Sequence, residues 1–64
     1  MSETTALLIQ ALRALGKDNI DSQTVSYLSG KLSAEKKRQI LQESHYITTW
    51  IYEAIKAICG GAEA

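Results

Sequence analysis

The sequence contains no proline and no phenylalanine, and only one each of cysteine, histidine and tryptophan. Without Phe or Pro, the core has to be built from Leu, Ile and Ala around the single Trp. A lone cysteine excludes an internal disulfide and makes a reducing cytoplasm the expected compartment. His45 has no Cys or carboxylate at metal-ligand spacing beside it, so no metal site is expected. Charge of one sign is also missing: seven basic residues balance seven acidic ones. That balance removes the electrostatic footprint of a nucleic-acid binder and argues against a polybasic membrane-surface role. The apolar run near the start, Ala6-Leu7-Leu8-Ile9, is far too short for a signal-peptide core or a membrane span. Asp18, Asp21, Glu43 and Glu53 show no paired arrangement for acid–base work. Gly60-Gly61 ends a helix instead of opening a phosphate loop. The expectation is a protein that is not an enzyme and uses no cofactor.

What the chain has is helical periodicity, strongest in its last third. Ile47, Trp50, Ile51, Ala54, Ile55 and Ile58 recur at three- and four-residue steps and cover roughly 140° of a helix surface at 100° per residue. This segment, closed by Gly60-Gly61, carries the Trp and is expected to be the core against which the rest folds, with Trp50 its anchor. Cys59 reads as an inert, partly buried small residue. Helix 1 is expected from about Thr5 to Leu15, burying Leu7, Leu8, Ala11, Leu12 and Leu15, with Gly16 at its C-cap. Helix 2 is expected from about Ser22 to Ser29. Asp21 is its N-cap, Ile20 and Val25 form a hydrophobic staple, Val25 and Leu28 face inward, and Gly30 stops it. Leu32 plugs the core, and Ser33 caps a surface helix 3 from Ala34 to about Glu43 or Ser44, with Ile40 and Leu41 inward. His45-Tyr46 forms a short joint or a bend into helix 4, and the pattern leaves both open. Four short helices with short connections give an all-α fold, a compact bundle forming a single helical domain over residues 1–64. For so short a chain a homodimer with a shared core is an alternative to a monomer.

Candidate working residues are those the helical wheels leave over. Ile9, Tyr27 and Tyr52 fall off their apolar faces, and tyrosine is a residue type that interfaces recruit. They are the expected protein-interaction surface. Lys36-Lys37-Arg38 is the basic run, and Ser22 to Leu41 can be read as a helix-turn-helix with that run on its second helix. These three side chains point about 100° apart and form no stripe. A small DNA-binding regulator is therefore the second reading.

The succession Ala11-Leu12-Arg13-Ala14-Leu15-Gly16-Lys17, Ile20-Asp21-Ser22-Gln23-Thr24-Val25, Leu32-Ser33-Ala34-Glu35-Lys36-Lys37-Arg38 and Thr49-Trp50-Ile51-Tyr52-Glu53-Ala54-Ile55 resembles the C-terminal helical segment of AbiEi-type bacterial antitoxins. The resemblance spans about residues 6 to 58. It implies a bacterial, phage or plasmid protein of toxin–antitoxin or phage-defence biology. In that family a separate N-terminal winged helix binds operator DNA, while the C-terminal part counters the toxin. The matching residues lie in that C-terminal part, so DNA binding does not carry over. The expected function is a non-enzymatic helical interaction module, antitoxin-like or a small inhibitor, whose partner is a protein such as a toxin or a host protein.

Overall fold

The computed structural model describes residues 1–60, and the tail expected beyond Gly60 lies outside them. The order is α1 (Glu3–Leu15), a 3-10 turn (Lys17–Asn19), α2 (Ser22–Gly30), α3 (Ala34–Glu43) and α4 (Thr49–Cys59). The fold is all-α, a bundle of four short helices, and helices 3 and 4 are separate. α4 is the hub, packing on α3, α2 and α1, while α1 also packs on α3.

Three of the four helix starts have a local side-chain cap, and Thr48 before α4 makes none. Ser2, Asp21 and Ser33 adopt extended backbone, and their side-chain oxygens accept from the N–H of Thr5, Thr24 and Lys36. Each satisfies an amide that the first helical turn leaves without a partner. α1 ends at Gly16, whose φ of 87° is favourable only for glycine. The Gly16 N–H donates to the Leu12 carbonyl, and Asn19 Nδ2 donates to that of Leu15. Between α3 and α4 the buried Ser44 hydroxyl donates back to the Ile40 carbonyl. The Ile47 N–H donates to the Ser44 carbonyl, closing the turn that carries His45 and Tyr46 outward.

Leu8, Ile9, Leu12, Ile40, Leu41, Ile51, Ile55, Ile58 and Cys59 form the buried core. Ile20, Val25, Leu28, Leu32, Ile47, Trp50 and Ala54 pack around it partly buried. Three sequence expectations are corrected here. α1 begins earlier than Thr5 and is turned by roughly 80° from the expected face, taking 100° per residue. Its interior side is Thr5, Leu8, Ile9 and Leu12. Ile9 is only 7% exposed, whereas Leu7 is 57% and Leu15 41% exposed. The cause is Thr5, which is fully buried and donates its hydroxyl to Glu43, so a polar residue takes the centre of the face. Second, α4 begins at Thr49 rather than Ile47, and its buried side is Ile51, Ile55, Ile58 and Cys59. Third, Trp50 stands at the edge of that side, half-buried, and Cys59 rather than Trp50 is among the fully buried residues.

α1 and α3 are also joined by charge. Glu43, the last residue of α3, accepts from the Ser2 N–H at 2.9 Å, the Ser2 hydroxyl at 2.9 Å and the Thr5 hydroxyl at 2.6 Å. A carboxylate at the positive end of α1 is well placed, since that end presents unpaired amides. The Thr5 hydroxyl first, then the Ser2 amide and hydroxyl, hold the Glu43 carboxyl down at about 2.

Candidate docking groove beside Trp50

The two flanks of α4 carry different chemistry. With Ile51, Ile55 and Ile58 turned inward, Trp50, Ala54 and Ala57 lie along the flank toward α2, and Tyr52 and Lys56 along the flank toward α3. The α2 flank does not close. Asp21 starts α2 with its side chain on the Thr24 N–H at 2.8 Å, which sets Ile20 and Val25 opposite α4. The result is an open groove of about 590 Å³ whose apolar wall is Ile20, Val25, Trp50, Ala54 and Ala57. Lys17, Thr48, Thr49 and Glu53 complete its lining, so one charge of each sign stands at the groove. The small Ala54 and Ala57 side chains leave the depth, and Trp50 supplies a broad apolar face with an indole N–H that can donate.

A second, smaller apolar recess of about 250 Å³ lies between α1 and the end of α2, lined by Leu7, Leu8, Ala11, Leu28 and Leu32 with Thr4 and Lys31. Leu7 and Ala11 line it because of the turn of α1 described above.

The residues singled out as an interaction surface do not come together. Ile9 belongs to the core, so its placing on a partner surface is corrected. Tyr27 is 64% exposed on α2 with the Lys31 ammonium 5.1 Å from its ring centre. Tyr52 is half-buried on the opposite flank of α4, against α3. The basic run is equally divided: Lys36 is exposed, Lys37 is half-buried, and Arg38 lines a notch with Tyr52. Cys59 is fully enclosed, and burial raises its thiol pKa, with nearby Lys37 partly opposing. Among the described residues no group of three His, Cys, Asp or Glu side chains could hold a metal ion. No described helix is long and apolar enough to cross a membrane.

The groove residues were visible in the sequence under other roles, Trp50 and Ala54 as core and Ile20 and Val25 as a staple. The signal that points to a groove is the width of the α4 stripe, since roughly 140° of apolar surface is more than a buried seam requires. Comparison with models of known protein families, with curated proteins and with solved structures finds no match. The site therefore rests on its geometry, that of a small all-α bundle with an open apolar groove on its central helix.

Proposed function

We propose that this chain is a non-enzymatic protein-interaction module that takes an amphipathic helical segment of a partner protein into the groove beside Trp50. The observation that carries this reading is the position of the single tryptophan. The core closes on Ile51, Ile55 and Ile58 without it, and the indole stands half-buried in a groove wall instead. Trp is enriched among residues that dominate binding energy at interfaces. An apolar wall with Lys17 and Glu53 at its margins suits a helix with an apolar stripe flanked by one acidic and one basic side chain. The resemblance to AbiEi-type antitoxins suggests a toxin as that partner, and a small inhibitor of a host protein is the other form of the same reading.

Ala54→Glu puts a charge on the groove floor without removing a residue of the buried core. The expected outcome is loss of partner capture by the immobilised protein, with a melting temperature close to the wild type. Tyr27→Ala, outside the groove, should capture as the parent does. An Ala54→Glu protein that is folded and retains the same partner sinks the groove reading.

A further inference from the structure

The other flank of α4 holds a group of side chains that neither the core nor the Trp50 groove uses. Arg38 comes from α3, His45 from the turn after it, and Tyr52 from α4. Together with Leu41 and Gln42 they line a notch of about 210 Å³. The His45 and Tyr52 ring centres are 6.1 Å apart, tilted by 40°. Lys56, one turn along α4, holds its ammonium 5.4 Å from the Tyr52 ring centre. Tyr46, 96% exposed, meets His45 edge-on at 6.4 Å.

The placement follows from the fold. The Ile47 N–H donates to the Ser44 carbonyl and closes the turn after α3, and His45, carried on that turn, stands beside Tyr52. Leu41, buried beneath, fixes the floor. Among the described residues no carboxylate lines the notch. Glu43 is bound to Ser2 and Thr5 at the α1 end, and Glu53 lies at the Trp50 groove. Glu35, one turn before Arg38 on α3, is the acidic neighbour on that helix. The balanced net charge of the chain thus conceals a local excess of donors.

We propose that this notch binds a phosphate dianion, either the free ion or the terminal group of a monoester. The guanidinium offers a planar fork, the imidazole and the phenol each a further donor, and the ammonium a mobile point charge at the rim. Such donors, coming from three elements, match a tetrahedral group with three terminal oxygens better than a two-oxygen carboxylate. Near neutral pH a monoester carries about 1.5 to 2 negative charges, against one for a diester. The Tyr52 ring gives the organic part of an ester an aromatic wall. The ligand is either free phosphate or a phosphorylated side chain, which share this chemistry.

The test is a titration read from the ring resonances of His45 and Tyr52 at constant ionic strength and pH. Phenyl phosphate and inorganic phosphate should give saturable shifts with dissociation constants of roughly 1–10 mM, a weak range suited to an exposed site. Tighter binding of phenyl phosphate assigns the notch to a phosphorylated side chain, and tighter binding of the inorganic ion assigns it to free phosphate. Arg38→Gln should weaken binding about tenfold or more through loss of the charged fork, while Lys36→Gln leaves it unchanged. Both substitutions are at exposed positions, and melting curves confirm the fold. Equal shifts with sodium acetate or chloride overturn the proposal, as does unaltered binding by Arg38→Gln. Dimethyl phosphate binding as tightly as phenyl phosphate also overturns it, because the notch would then read a diester backbone.

Discussion

Glu43 is one residue, yet it ties the end of α3 to the start of α1 across 41 positions of sequence. Its three hydrogen bonds all require the ionised form to accept them at full strength, which is why its carboxyl is held at about 2 instead of the ordinary 4.5. A carboxyl lowered in the folded state stabilises the fold fully above its ordinary value and loses that contribution as pH falls from about 4.5 toward 2. Asp21 is also lowered, chiefly by the Thr24 amide, and adds stability of the same sign. Thermal melts of the parent and of Glu43→Gln between pH 7 and pH 2 separate the two, because Asp21 is common to both. The variant should melt lower than the parent at pH 7, and the gap should close across that acidic window. A gap that stays constant down to pH 2 would mean that the carboxylate is not what joins the helices.

Where the caps are local, the helix ends were legible in the sequence. Asp21, Ser33 and Gly16 sit where the pattern asks for them, and each makes the expected backbone bond within three or four residues. The facing of α1 was not legible, because it depends on Thr5 meeting a carboxylate 38 positions away. An apolar wheel assigns threonine no preference for the interior and so places Leu7 and Leu15 inside in place of Ile9. The same limit applies to α4: the periodicity identified its apolar stripe but not how much of it the neighbouring helices cover. Of the candidate site, Ile20, Val25, Trp50 and Ala54 were legible as apolar positions, while the groove they line was not, since it exists only between elements. The two parts of the α4 stripe should differ in energy. Ile55→Ala, at a fully buried position, should cost about 2–5 kcal/mol. Trp50→Ala removes a larger side chain, but a half-buried one, and should cost only about 1–2 kcal/mol. Urea unfolding of both variants measures the difference. Equal losses would return Trp50 to the core and remove the groove wall.

At the scale of the whole molecule, the bundle depends on α4, the helix on which the other three pack. Cys59, in its last turn, is a built-in reporter of that dependence. The thiol is completely buried and its pKa is raised by that burial, so attack by a disulfide reagent requires the chain to open and the thiolate to form. If opening means global unfolding, labelling by dithionitrobenzoate should be slowed roughly 10²- to 10⁴-fold relative to the urea-unfolded chain, the range set by a stability of about 3–5 kcal/mol. Its rate should then rise with urea along the same slope as equilibrium unfolding. Ile55→Ala should accelerate labelling in proportion to its loss of stability, because both report one equilibrium. A different outcome has a structural meaning: labelling that is fast and insensitive to urea indicates that the last turn of α4 frays by itself. In that case Ile58 and Cys59 would not be held by the cooperative core, and the organising part of α4 would shrink to the turns carrying Ile51 and Ile55.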